Sequence, residues 1–82
     1  MAKKKIHIQY YALLREERGL SRETVTTDAK TVQGLYQQLQ AKYHFRLSPD
    51  ILRVAINDEF VNWRSPLQSN DTVVFIPPVA GG

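Results

Sequence analysis

Apolar and polar residues alternate along residues 5–11. Ile6, Ile8 and Tyr10 fall on one side, and His7, Gln9 and Tyr11 on the other. A period of two marks a β-strand with two different faces. Ala12–Arg18 is helix-forming and ends at Gly19, a residue type suited to the position just past a helix. Residues 23–27 are rich in Thr and Val and predict a second strand that returns beside the first. After a turn at residues 28–30, Thr31 can cap a helix over residues 32–43. There Val32, Leu35, Tyr36, Leu39 and Tyr43 recur at helical spacing and form one apolar stripe. Gly34 falls on the opposite face, costs roughly 1 kcal/mol relative to Ala, and finds no reason in the pattern. Ser48-Pro49-Asp50 breaks the periodicity. Residues 53–57 predict a strand with Val54 and Ile56 on one face, and Asn57-Asp58-Glu59 a tight turn into Phe60-Val61. Turn-forming residues surround Leu67, and Thr72–Ile76 predicts the last strand.

The order strand, strand, helix, strand, short strand, strand predicts an α+β domain: about five strands in a mixed sheet packed on one main helix. That order fits a β-grasp, the ubiquitin-like roll, with the first and last strands parallel at the centre. The inward set is then Ile6, Ile8, Tyr10, Val25, Val32, Leu35, Tyr36, Leu39, Val54, Ile56, Leu67, Val73 and Phe75. No repeat or linker interrupts the chain, so residues 1–82 are read as one domain. It carries a basic N-terminal extension at residues 1–5 and an extended C-terminal tail at residues 77–82.

Composition changes this picture little. The chain has 82 residues and a formal charge of +3, from eleven Lys and Arg against eight Asp and Glu. Lys3, Lys4 and Lys5 account for the whole excess, so the charge reads as a basic end on a neutral body. No basic stripe with interleaved aromatics follows, and nucleic acid is not an expected partner. No apolar run approaches membrane-spanning length, so no membrane contact is expected. The three lysines begin as a signal peptide does, but His7 and Gln9 break the apolar stretch and no small-residue cleavage site follows. The cytoplasm is the expected location. The chain contains no Cys, which removes disulfides, thiolate metal sites and a thiol nucleophile.

Other catalytic chemistry is missing as well. His7 and His44 are far apart with no matching acidic cluster, so no metal site is expected. His7 reads as a surface residue of the first strand. Asp58-Glu59 reads as a solvated pair in a turn. No phosphate-binding glycine motif occurs, and no nucleophile stands near a base in the sequence. The expectation is a chain that binds no cofactor and catalyses nothing alone.

What remains is the ending, Pro77-Pro78-Val79-Ala80-Gly81-Gly82. Two prolines remove two N–H donors and fix φ, which stops the strand near Ile76 and starts a stiff projecting tail. Four residues beyond Pro78 can reach about 13 Å. A glycine pair lets the backbone thread a narrow channel. Chain ends also carry glycine for no functional reason, but such an end is not normally preceded by a strand and a proline pair. Adenylation of the Gly82 carboxylate would make it an acyl donor. A sulfur nucleophile would then yield a thiocarboxylate, and a lysine amine an isopeptide bond.

Over nearly its whole length the chain resembles the small subunit of molybdopterin synthase, the sulfur carrier of molybdenum cofactor biosynthesis. The strongest element is Phe75-Ile76-Pro77-Pro78-Val79-Ala80-Gly81-Gly82. Supporting elements are Tyr10-Tyr11-Ala12 with Arg15-Glu16, Thr31-Val32, Val54-Ala55-Ile56-Asn57, and Leu67 followed by Asn70-Asp71 and Val73. The Gly-Gly alone is common to ubiquitin-like sulfur carriers, whereas the double proline is more selective.

The resemblance implies that a ubiquitin-activating-type enzyme adenylates Gly82 with MgATP, and that a sulfurtransferase system converts it to a thiocarboxylate. Residues 77–81 (Pro77, Pro78, Val79, Ala80, Gly81) thread the tail into the large synthase subunit. Sulfur then passes to cyclic pyranopterin monophosphate, in a heterotetramer of two large and two small subunits. It also implies a partner interface at Tyr11, Phe60 and Ile76. Strand alternation independently turns Tyr11 away from the core, while the lesser alternative for Phe60 and Ile76 is that they are core residues. The basic N-terminal extension departs from familiar members. The competing readings are a carrier for thiamin thiazole synthesis, a carrier for tRNA thiolation, and a protein modifier forming isopeptide conjugates. An interaction domain with an inert tail is the plainest alternative.

Overall fold

The structure, a computed structural model, describes residues 3–78. The elements in chain order are β1 (Lys4–Tyr10), α1 (Ala12–Arg18), β2 (Arg22–Thr27), α2 (Val32–Tyr43), β3 (Arg53–Ile56), β4 (Glu59–Val61) and β5 (Thr72–Ile76). A single 3-10 turn at Pro49–Ile51 precedes β3. The sheet order is β2-β1-β5-β3-β4. Strands β1 and β5 are parallel neighbours at the centre, and the other pairs are antiparallel. This is the β-grasp arrangement that the element order predicts. The parallel pair requires a long crossover between its strands, and α2 supplies the helix for it.

Each element forms for a local reason. Helix α1 ends at Gly19 in the left-handed conformation (φ 81°), whose N–H returns to the Arg15 carbonyl at 2.8 Å. Thr31 caps α2, its hydroxyl accepting from the Gly34 N–H at 3.1 Å. Such a cap is worth about 1 kcal/mol. The helix stops at His44, which is left-handed (φ 58°). The β3–β4 hairpin turns through Asn57 and Asp58, both at positive φ, as a tight two-residue turn demands. Asn57 also holds the start of β5, accepting from the Thr72 N–H and donating to Asp71, each at 3.0 Å.

The inner sheet face packs on α2. Ile6, Ile8, Tyr10, Val32, Leu35, Tyr36, Leu39, Val54, Leu67, Val73 and Phe75 are buried, as the inward set predicts. Each large aliphatic side chain so buried contributes about 2 kcal/mol. Val25 and Ile56 are only half-buried, because β2 and the end of β3 lie towards the sheet margins, but both pack on the core. The periodicity overlooks Leu14, Phe45, Leu52 and Trp63. Phe45 follows the left-handed His44, so the chain reverses and turns the ring inward onto Tyr10 (5.7 Å) and Tyr36 (6.0 Å). Trp63 stacks on Phe75 at 6.0 Å between centroids.

The N-terminal lysines also differ from expectation. Lys4 and Lys5 are not an extension: they pair with Thr27 and Thr26 in the β1–β2 ladder. Lys4 Nζ donates to the Ala29 carbonyl at 3.1 Å.

Candidate functional site: the tail root and the outer sheet face

Strand β5 runs through the middle of the sheet and delivers the chain to its edge. The β3–β5 ladder ends with Arg53 opposite Ile76. Pro77 follows, and having no N–H it cannot extend the ladder. Pro77 is itself buried, whereas Pro78 is exposed. Both prolines line a groove of about 200 Å³ together with Ile51, Arg53 and Ile76. Val79, Ala80, Gly81 and Gly82 lie outside the described residues.

The register assigns one row of the outer face without reference to side-chain chemistry. Across the sheet, Arg22, Gln9, Val74, Ala55 and Phe60 are successive partners. The next row towards the tail contains Ile76 and Arg53. Tyr11 continues from β1 in extended conformation (φ −131°, ψ 154°), which sends its side chain outward, opposite to Tyr10. The Tyr10 N–H donates to the Ser21 carbonyl at 2.9 Å, one position past the end of the β1–β2 ladder. Phe60 is 66% exposed, Ile51 50% and Tyr11 43%. Val74 and Ile76 are half-buried between them, and Ala55 is covered. The result is an apolar band around the tail root. Exposed apolar patches on small proteins mark places where partners sit.

The predicted interface residues therefore share one face: Tyr11 and Phe60 exposed, Ile76 half-buried in the band. Phe60 is not a core residue. The sequence reading missed Ile51 and Val74. Ile51 joins the band only through the 3-10 turn, so it carries no periodic signal. Val74 could have been found, since it alternates with the buried Val73 and Phe75.

Further along the same face the surface becomes polar. His7, Ile8, Gln9, Arg22, Glu23, Thr24 and Thr72 line a shallow concavity of about 570 Å³. His7 Nδ1 lies 3.0 Å from the Thr24 hydroxyl, which matches the reading of His7 as a surface strand residue. No cluster of three potential metal ligands occurs among the described residues.

The opposite face holds the most perturbed titrating groups, and they serve packing. Glu23 accepts from the Tyr10 hydroxyl at 2.6 Å and from Arg18 Nε and a terminal Arg18 nitrogen at 2.8 and 2.9 Å. The Arg18 guanidinium lies 4.0 Å from the Tyr43 ring centroid, a cation–π contact. Burial pushes the Glu23 carboxyl up, but the Arg18 and Tyr10 hydrogen bonds and the Arg18 and Lys42 charges outweigh it and lower the pKa. Burial, then the Glu23 hydrogen bond, raises the Tyr10 phenol. These groups pin α1 to β2 and α2, and none faces the tail root.

Comparison with known proteins agrees with this architecture. Residues 8–82 match the ThiS family, and the chain belongs to that family. It is 34% identical over 80 residues to the molybdopterin synthase sulfur carrier subunit of Escherichia coli (strain K12), a match covering 94% of this chain and 99% of that protein. Among solved structures it is similar to small archaeal modifier protein 1 of Methanosarcina acetivorans, with a TM-score of 0.79, 19% identity and full coverage of both chains. It is also similar to a chain of the complex of subunits 1 and 2 of molybdopterin-converting factor from Helicobacter pylori 26695. There the TM-score is 0.64 and the identity 24%, over 95% of this chain and 99% of that one. The resemblance to molybdopterin synthase small subunits, drawn from the residues alone, stands.

Proposed function

We propose that this chain is the sulfur-carrier subunit of molybdopterin synthase, with the Gly82 carboxylate as its one reactive group. The observation that carries the reading is the Pro77-Pro78-Val79-Ala80-Gly81-Gly82 ending. It follows central strand β5 in a chain 34% identical to the Escherichia coli carrier subunit. The titrating groups among the described residues are surface residues or packing groups, which supports placing the chemistry at the terminus.

In this proposal a ubiquitin-activating-type partner supplies MgATP. A Gly82 carboxylate oxygen attacks the α-phosphorus and pyrophosphate leaves. A persulfide of a sulfurtransferase system then displaces AMP to give an acyl disulfide, and a second thiol of that system cleaves its S–S bond, which forms a disulfide there and leaves Gly82 as a thiocarboxylate. The tail enters the large synthase subunit, where the sulfur is transferred to cyclic pyranopterin monophosphate in an assembly of two large and two small subunits. The domain contributes placement: the apolar band of Tyr11, Phe60 and Ile76 docks on successive partners, Pro77 anchors the tail root, and Pro78 directs the chain outward. Two glycines remove side chains that a narrow channel would reject.

Intact mass spectrometry tests the proposal. After incubation with the adenylating enzyme, MgATP and a sulfur donor, the chain gains the mass of one sulfur-for-oxygen exchange, and the large subunit with this form produces molybdopterin. An unchanged mass with a competent enzyme rules out a sulfur carrier. Covalent adducts to lysines of other proteins, with no thiocarboxylate, would place the chain among protein modifiers instead. A thiocarboxylate that supports thiazole formation or tRNA thiolation, but not molybdopterin, would assign it to those pathways.

A further inference from the structure

The sequence assigns the positive charge to the N-terminal lysines on a neutral body, but folding redistributes it. Residues of β1–β5 that face outward include Lys5, Arg22 and Arg53, all exposed. No carboxylate lies among these outward strand positions. Glu23 pairs with inward-facing Ile8 in the ladder and is taken up by Arg18 and Tyr10. Glu59 stands opposite Ile56 on the inward register. Asp71 is buried and bonded to Asn57 and the Gln68 N–H. Asp58 lies in the hairpin turn, at the end of the sheet away from the tail. The ion pairs among the described residues are Arg18–Glu23 and Arg46–Glu17, and neither includes an outer-face cation. Asp50 is exposed in the 3-10 turn beside Ile51. The carboxylates of the strands are thus turned to the inward register, while Arg22 and Arg53 flank the apolar band. Arg22 stands at the β2 end of the row that Phe60 closes, and the Arg53 guanidinium lies 5.9 Å from the Phe60 ring centroid. Lys5 lies beyond the polar concavity.

We infer that this face docks a protein surface that is apolar at its centre and acidic at its rim, so that Arg22 and Arg53 steer the approach while Phe60, Tyr11 and Ile76 supply the contact. The inference rests on the carrier reading and specifies the chemistry its partners must present. Rim charges of this kind act on association rate and salt dependence more than on dissociation. A nucleic acid fits less well: its phosphates call for a continuous basic stripe, whereas the middle of this face is hydrocarbon.

The test is binding of the full chain to the large subunit of molybdopterin synthase from the same source, followed by stopped-flow fluorescence. Arg22→Glu and Arg53→Glu each lower the association rate about tenfold at about 0.05 M salt, and the gap narrows at about 0.5 M salt as the charges are screened. Lys30→Glu changes net charge equally but lies beside the N-terminus of α2, on the helix layer. It leaves the rate within about twofold of the unaltered chain. Thermal melts confirm that the exposed-site variants remain folded. If the unaltered chain binds and the outer-face reversals change neither rate nor salt dependence, or Lys30→Glu slows binding as much as they do, the inference is overturned while the carrier reading stands. Failure of the unaltered chain to bind any large subunit overturns both. Tighter binding to a uridine oligoribonucleotide than to the large subunit overturns the inference in favour of a nucleic acid.

Discussion

Gly34 and Gly19 resemble each other in sequence and differ in consequence. Gly34 is half-buried in the first turn of α2, its N–H held by Thr31. A Cβ there would meet Ala29 Cβ and Thr31 Oγ1 at 3.6 Å, which is ordinary contact. The glycine is therefore not required by space or backbone, and Gly34→Ala should raise stability by about 0.5–1 kcal/mol, read as a higher urea midpoint with unchanged slope. Gly19 has open space around it but a φ of +81°, so Gly19→Ala should lower stability by about 1 kcal/mol. Sequence identified Gly19 through its position after a helix. It could not explain Gly34, because the neighbour that decides the matter, Ala29, belongs to the turn before the helix. Phe60 shows the same limit: only the ladder places it outward, on the row with Ala55 and Val74. With the ring two-thirds exposed, Phe60→Ala should leave the melting temperature nearly unchanged and accelerate dissociation from the large subunit.

At the scale of elements, α1 is the piece most dependent on polar contacts. One residue of it, Leu14, is buried. Arg18 bonds to Glu23 on β2, and Glu17 accepts from the Arg46 N–H at 3.2 Å. The acid side of the stability profile follows from Glu23. Its folded pKa lies below the ordinary glutamate value, so the ionised carboxylate favours the folded state. That stability is present above the unfolded pKa and is lost as pH falls through the folded one. Glu23→Gln should cost about 1–2 kcal/mol at neutral pH and flatten the acid limb of a plot of unfolding free energy against pH. An acid limb as steep as that of the unaltered chain would mean that other carboxylates dominate it. The alkaline side has the opposite sign. Burial, with the Glu17 charge, pushes the Tyr36 phenol up to about 12. Its contribution is full below the ordinary tyrosine value near 10 and is lost as pH rises towards the folded one. Tyr36→Phe should make the alkaline limb shallower, read from the same melts, although it also removes the 2.8 Å bond to the Leu47 carbonyl. Sequence placed α1 and α2 through their caps and stripes. It placed neither the Glu23–Arg18–Tyr10 group nor Phe45, because these meet through a reversal at His44 and a pairing between separate strands.

For the whole molecule, the arrangement separates stability from chemistry. The core and the Glu23 group lie on one side of the sheet, and the apolar band, the outer cations and the tail root lie on the other or at its edge. Deleting Gly82, or extending the chain beyond it, should therefore abolish sulfur loading in the mass assay while the melting transition stays within about 1 °C, since the four terminal residues follow the last strand. A lowered transition would mean that the tail packs on the domain. The sequence alone determined the element order, the β-grasp, the inward set of the central strands and the Pro-Pro-Val-Ala-Gly-Gly ending. These depend on periods of two and 3.6, on turn residues and on covalent order, all of which are local. Tertiary structure alone decided which exposed residues share a face. Ile51 and Phe60 come from separate segments, and strand pairing turns Glu23 and Glu59 to the inward register while Arg22 and Arg53 face out. Charge and apolar patches on a sheet surface are sums over neighbouring strands, and the register that brings those strands together is set by the packed core rather than by any one segment.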